Sequence, residues 1–227
     1  MNEPRPALDT VKLKALYQRA AWRYDRQHRL LTLASDQRGR ELVVRHTVRP
    51  GDRVLDAGCG TGATARLAAQ AAGPTGFVAG LDLTPDMLEL ARRKTVAGGA
   101  TPVLAIGDMT ALPFVGESFD CVLSSYSVCP LSDPERGALE LYRVVRPGGR
   151  LGIAHSAEPQ NPLLRRLAGS LERLLWRLPQ LSLGCRPVDV LPALHRAGAR
   201  TDLDRLIGLP LWPFSVIVAV KPEASAG

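Results

Sequence analysis

The chain lacks an apolar run long enough to cross a membrane, which takes about 20 consecutive residues as a helix. Its polar, Pro-bearing start does not read as a signal peptide, so the sequence alone predicts a cytoplasmic location. Cysteine is sparse: Cys59, Cys121, Cys129 and Cys185 form no C-x-x-C pair and no ligand spacing, which argues against a bound metal or a disulfide framework. No grouping of Cys, His and acid suggests a hydrolase triad. Internal repeats and an interdomain linker are also missing. The 227 residues suit one α/β domain with a full-sized core.

Positive charge is present, and it is unevenly spread. The net charge is +7, yet residues 1–50 hold 11 Lys+Arg against 5 Asp+Glu, leaving the body near neutral. A basic leader is a solvated helix face or a surface for an anionic partner.

The most informative stretch is Val54-Leu55-Asp56-Ala57-Gly58-Cys59-Gly60-Thr61-Gly62-Ala63. A short apolar run, three glycines at alternate positions and an Ala-rich pattern predict a buried strand, a tight loop and a helix start. Glycines without a Cβ let a ligand lie against bare backbone. The amides at the loop and helix start favour an anion, and Asp56 pulls on a nearby cation. An amino-acid moiety is both.

Further along, Gly76–Leu83 reads as a second strand ending at Asp82, and Thr84-Pro85 opens a helix. An acid at that strand end, about 20 to 25 residues past the glycine loop, is placed to accept from a ribose diol; capping the helix is the other role open to it. Strands follow at Pro102–Ile106, ending in Gly107-Asp108-Met109, at Ser118–Ser125, with Tyr126 at its carboxyl end, and at Leu151–His155. Helices are predicted over Thr10–Asp25, much of Arg29–His46, Asp133–Val144, Asn161–Leu178 and Val188–Ala197, with a closing strand pair near Thr201–Ile207 and Leu211–Lys221.

The D-x-G-x-G-x-G loop after a strand and the turn Arg143-Val144-Val145-Arg146-Pro147-Gly148-Gly149 resemble the class I S-adenosylmethionine (SAM) dependent methyltransferases. Ala20-Ala21-Trp22-Arg23-Tyr24-Asp25 resembles the "YD" segment of the ubiquinone/menaquinone-biosynthesis and phospholipid N-methyltransferase branch, where that segment lies over SAM; packing of a helix on the core is the other role open to Tyr24. The resemblance spans roughly residues 17 to 222. It implies a Rossmann-like doubly wound α/β sheet, mostly parallel, with an antiparallel C-terminal hairpin. It divides the single domain into a basic helical leader or lid (1–50), a SAM-binding core (51–155), a lid insertion (156–187) and a C-terminal helix and hairpin (188–222).

The implied SAM-binding set is Tyr24, Asp56, Gly58, Cys59, Gly60, Thr61, Gly62, Asp82, Leu83, Met87, Asp108, Met109 and Ser124, with Asp108 accepting from the adenine amine or acting only as a turn residue. His155 is the best-placed candidate general base, unless it only satisfies a hydrogen bond at the sheet edge; Tyr24 and Tyr126 are alternatives that would shape the acceptor pocket. The implied reaction is methyl transfer to a lipid-like acceptor, a quinone precursor or a phospholipid amine, with a soluble small molecule as the alternative. The predicted helix Asn161–Leu178 places its leucines on one face, with Arg165, Arg166, Arg173, Arg177 and Trp176 on the remainder. This suits a peripheral position on an anionic membrane surface, unless the helix merely lids the pocket. A nicotinamide enzyme would need G-x-G-x-x-G, which is absent. A nucleic-acid partner is not expected, since no helix-turn-helix or zinc-finger signal accompanies the basic leader.

Overall fold

The buried run Val54-Leu55-Asp56-Ala57 lies at the centre of a seven-stranded sheet in the computed structural model, which describes residues 9–32, 34–94, 101–175 and 185–223. β1 (Arg53–Ala57) pairs in parallel with β2 (Phe77–Asp82) on one side and β4 (Phe119–Ser125) on the other. β3 (Val103–Ile106) extends the β2 side, and β5 (Val145–Ser156) the β4 side, again in parallel. β7 (Trp212–Val220) enters antiparallel between β5 and β6 (Arg200–Leu209), giving the order β3-β2-β1-β4-β5-β7-β6. The doubly wound sheet and its antiparallel closing hairpin are thus as the sequence predicts.

Both faces of the sheet are covered, which explains why β1 and β4 are almost wholly buried rather than alternating. On one face α3 (Ser35–Thr47) and α4 (Ala63–Ala72) pack Val43, Val44, Ala65, Ala68, Ala69 and Ala72 against Val54, Cys121, Leu123 and Val216. The alanines of α4 let that helix lie close to the strands. On the other face α6 (Pro134–Arg143) and α8 (Leu191–Arg196) bring Leu141, Tyr142 and Leu194 onto Leu55, Val122, Leu151 and Ile153. α6 starts where Asp133 accepts from the Arg136 amide and Pro134 occupies the first turn.

The leader differs from the single helix expected over Thr10–Asp25. It forms α1 (Thr10–Ala20), capped by Asp9, then a 3₁₀ turn at Ala21–Arg23 and α2 (Tyr24–Leu31). The break turns Ala20, Ala21 and Tyr24 onto Met87 of α5 (Pro85–Arg92). α7 (Pro162–Leu175) is the helix expected from Asn161. Trp176, Arg177 and Leu178 of that expectation lie outside the described residues.

Arg150 and Asp52 form an ion pair at the sheet's lower end, with side chains 8% and 11% exposed and Nη2 2.8 Å from Oδ2. Arg150 Nε also donates to the Thr47 carbonyl, and Asp52 accepts from the Arg49 amide. This ties α3, the turn before β1 and β5 together. Removing one member leaves a buried charge, which costs about 3–5 kcal/mol. Arg150→Ala is therefore expected to lower the urea-unfolding free energy by about that amount. Arg146→Ala, which removes a half-exposed partner of Asp120, should cost about 1 kcal/mol or less.

Candidate active site

The strand order reverses between β1 and β4, and at such a switch point the carboxyl ends of parallel strands leave a crevice. The glycine loop follows β1 there. Gly58, Gly60 and Gly62 have φ of 72°, 53° and 77°, a region that L side chains rarely enter. The loop is pinned from below and from both sides. Gly58 and Cys59 donate to the Leu81 carbonyl at 2.7 and 3.0 Å, Asp82 Oδ2 accepts from the Gly60 amide at 2.8 Å, and Ser127 Oγ donates to the Gly58 carbonyl at 2.7 Å. A Cβ on Gly58 would lie 2.4 Å from that of Ser127, whereas one on Gly60 would meet no protein atom within 4 Å. Gly60 therefore borders open space.

That space is a cleft partly open to solvent. Of the residues expected at the site, Tyr24, Gly58, Gly60, Asp82, Leu83, Met87, Asp108, Met109 and Tyr126 line it. The others sit elsewhere. Asp56 is fully buried beneath the loop, Cys59 backs onto Gly80, and Gly62 packs against Ala91. Thr61 donates to Asp25 at 2.6 Å. Ser124 is fully buried, with no partner for its hydroxyl among the described residues. His155 is also outside the lining: it is 2% exposed, with Nδ1 2.9 Å from the Ser156 carbonyl and no partner for Nε2 among the described residues. Burial pushes its pKa below the usual histidine value, against the pull of that carbonyl.

The carboxylates differ in environment. Asp82 Oδ1 accepts from the Thr84 amide at 2.9 Å while Oδ2 holds Gly60; Thr84, not Asp82, is the N-cap residue of α5, and Asp82 lines the cleft. Burial raises its pKa, and the amides of Thr84 and Gly60 partly offset this. Asp108 takes the Thr110 amide and hydroxyl on Oδ1; its Oδ2 accepts no hydrogen bond among the described residues. By hydrogen-bond geometry neither Asp56 oxygen has a partner among the described residues. Burial lifts its pKa to about 7, with Arg40 and the Ala65 amide opposing the rise and Asp82 adding to it.

Sequence reasoning missed Arg40 and Asp25. Arg40, 7% exposed, donates to Thr64 Oγ1 at 2.9 Å and sits 5.1 Å from the Tyr126 ring centre, so a buried guanidinium stands next to the helix start and the glycine loop. Asp25 joins the leader to the loop through Thr61 and to Lys94 at 2.6 Å. Burial works against its charge, but bonds from Lys94 and Thr61 prevail and lower its pKa. Tyr126 adopts φ 60°, an uncommon backbone state for an aromatic residue. Its hydroxyl donates to the Asp36 carbonyl at 3.2 Å.

The residues present fit SAM. Bare glycine backbone, a helix start and Arg40 suit a carboxylate; the unpartnered Asp56 carboxyl suits a nearby cation. Asp82 retains acceptor capacity for a diol, Asp108 Oδ2 suits an amine, and Leu83, Met87 and Met109 supply apolar walls. Asp82→Ala is expected to weaken SAM by about 1.5–3 kcal/mol in calorimetry, and wild-type affinity would remove Asp82 from the site. Gly60→Val should bind worse still, since its side chain enters the cleft from a strained φ. A second expectation concerns pH. A carboxyl raised in the folded state stabilises the ligand-free fold fully below its unfolded pKa of 3.8 and loses that contribution as pH rises through about 7. Stability of the ligand-free protein should therefore decline from pH 4 to above 7, by at most about 4 kcal/mol from this group. Asp56→Asn should flatten that decline in urea titrations across this range; an unchanged slope would assign it to other groups.

The comparisons agree with this geometry. A family model described as a methyltransferase domain matches residues 55–153. Demethylmenaquinone methyltransferase of Clavibacter sepedonicus is 37% identical over 158 residues, covering 68% of this chain and 62% of the relative. The 2-phytyl-1,4-naphtoquinone methyltransferase of Nostoc punctiforme is 31% identical over 159 residues, covering 69% of each chain. The chain spans just under two thirds of the length of matched demethylmenaquinone methyltransferases. In fold it is similar to magnesium protoporphyrin IX methyltransferase from Synechocystis PCC 6803 with bound SAH, with TM-score 0.68 at 18% identity over 94% of this chain and 100% of that one. With the sheet order, the glycine loop and these relatives together, the chain belongs to the class I SAM-dependent methyltransferases, in their quinone-biosynthesis branch.

Proposed function

We propose that this protein transfers a methyl group from SAM to a ring carbon of a quinone precursor carrying an apolar tail. The observation that carries the reading is the mixed lining of the cleft, which combines the glycine backbone, Asp82 and Asp108 with Leu13, Tyr17, Pro130 and Leu131. The named activity of the relatives, methylation of demethylmenaquinone and phytyl-naphthoquinone, supports an apolar aromatic acceptor.

SAM, when bound, supplies an electrophilic methyl on a sulfonium. The chain's own part is to align the acceptor and keep water out. Tyr24 and Tyr126 have their pKa values raised, chiefly by burial, so they stay protonated and act as hydrogen-bond donors and walls rather than as bases. His155 lies off the cleft lining, so His155→Ala should lower turnover by less than the roughly 10²–10⁴-fold that a general base supplies. An electron-rich ring, such as a hydroquinone, lessens the need for a strong base.

The membrane-surface component rests on α7. Leu163, Leu167 and Leu171 are 74%, 57% and 38% exposed, while Leu164 and Ala168 of the same helix turn inward. None of the described α7 residues lines the cleft, which disfavours a simple pocket lid. Exposed leucines beside Arg165 and Arg166 suit an anionic headgroup boundary. Tritiated methyl transfer from SAM distinguishes the acceptors: label should enter a reduced demethylmenaquinone and not phosphatidylethanolamine or a soluble catechol. In liposome flotation, the protein should float with anionic vesicles at low salt and be released by high salt. Leu163→Ser with Leu167→Ser should reduce flotation severalfold. Wild-type protein that stays in the soluble fraction would favour a water-soluble acceptor.

A further inference from the structure

Two of the four cysteines, 56 residues apart in sequence, meet beside the cleft. Cys129 lies in the loop between β4 and α6, and Cys185 in the segment that precedes α8; their sulfurs are 3.2 Å apart. That is only about 1.2 Å longer than a disulfide bond. We propose that Cys129 and Cys185 are an oxidisable thiol pair whose disulfide staples the segment before α8 to the loop that walls the cleft.

Three observations converge on this contact. First, Cys129 stands between Ser127 and Pro130, both of which line the cleft, so a bond at Cys129 fixes the wall itself. Second, the approach is held from both sides. Arg186 donates to the Leu131 and Ser132 carbonyls at 3.0 and 3.2 Å, and the Val188 amide donates to the Ser156 carbonyl. The two sulfurs therefore meet within an anchored framework. Third, the hydroxyl of Tyr17, a cleft-lining residue of the leader, meets the Cys185 thiol, so leader, loop and segment share one junction. Cys59 and Cys121 are buried, and among the described residues neither has a cysteine sulfur as a hydrogen-bond partner.

The chemistry divides between the two thiols. Cys185 is part-exposed while Cys129 is fully buried, so Cys185 is the point of access for a small oxidant, while the hydrogen bond with Cys129 raises the Cys185 pKa and leaves the thiolate character on Cys129. With hydrogen peroxide, Cys185–SH becomes Cys185–SOH and one water leaves. The Cys129 sulfur then attacks the Cys185 sulfur, the S–O bond breaks, and the hydroxyl leaves with the Cys129 proton as a second water. Two electrons pass from the thiols to one peroxide. Burial opposes a Cys129 thiolate, but hydrogen bonds from Cys185 and the Ser156 backbone outweigh it and lower its pKa, as suits the attacking partner. The device does not depend on which molecule accepts the methyl group.

The test uses the full chain. After dilute peroxide and quenching, titration with Ellman's reagent in denaturant should find two thiols in place of four, and dithiothreitol should restore four. Peptide mapping without reductant should recover a Cys129–Cys185 cross-link. Cys129→Ser and Cys185→Ala should each abolish it, whereas Cys121→Ser should leave it intact. Hydrogen exchange of oxidised against reduced wild type, which requires no SAM and no folded variant, should slow tenfold or more in 126–132 and 185–190. Four surviving thiols, a cross-link between another pair, or a cross-link without slower exchange in those segments would each overturn the staple. Loss of SAM binding in the reduced protein would instead count against the methyltransferase reading and leave these readouts unaffected.

Discussion

The hydrogen bond from the Gly60 amide to Asp82 is the contact on which the rest of the site depends. It joins the end of β2 to the turn after β1, and thereby sets the distance between bare glycine backbone and the carboxylate. A loop with three positive φ values has little intrinsic preference for one shape, since glycine loses much freedom on folding. Its geometry must come from outside. Leu81 holds its first amides, Asp82 its middle and Ser127 the Gly58 carbonyl. Three strand ends thus fix one turn, and the reason they can do so is the parallel order β2-β1-β4, which brings all three carboxyl ends to one edge.

The same convergence crowds charge. Asp56, Asp82 and Arg40 are all buried or nearly so, and Asp56 feels both of the other two. Without a ligand, Asp56 relieves its burial by holding a proton up to about pH 7. A cation brought close would favour the ionised carboxylate instead. Binding of a positively charged ligand is then coupled to proton release, with the acid acting through field rather than through a cleft-lining contact. Arg40 balances the pair from α3, and its guanidinium against the Tyr126 ring helps hold that residue in its uncommon φ.

The central strands, the glycine loop and Asp82 were legible because their signals are local: an apolar run, three glycines, an acid one βαβ unit later. Asp25 and Arg40 were not. Their contacts, Thr61 and Thr64, lie 36 and 24 residues away, and no spacing rule links a leader helix to a loop it packs against only after the sheet has formed. His155 is a different case. Its position at a strand's carboxyl end was read correctly, but β5 stands one strand beyond the β1–β4 crevice and the ring is 2% exposed, a burial that no local signal announces. The leucines of α7 were seen as one stripe. That Leu163, Leu167 and Leu171 of it are exposed depends on which residues the body leaves uncovered, and periodicity carries no information on that.

The leader forms part of the cleft wall. Tyr17, Tyr24 and Leu13 line the cleft, and the leader's contacts with the body include a small apolar cluster around Met87, the Asp25 bonds to Thr61 and Lys94, and the Tyr17 hydroxyl at Cys185. Half-exposed ion pairs contribute about 1 kcal/mol or less, and so small a cluster buries little area. The sheet, by contrast, is covered on both faces by two extensive clusters. The hydrogen bonds that anchor Gly58, Gly60 and Asp82 come from the end of β2, from Thr84 and from Ser127, and Asp108 is held by Thr110. Thr61 belongs to the glycine loop by sequence and meets the leader through its hydrogen bond to Asp25, so it couples the position of the leader to that of the glycine turn.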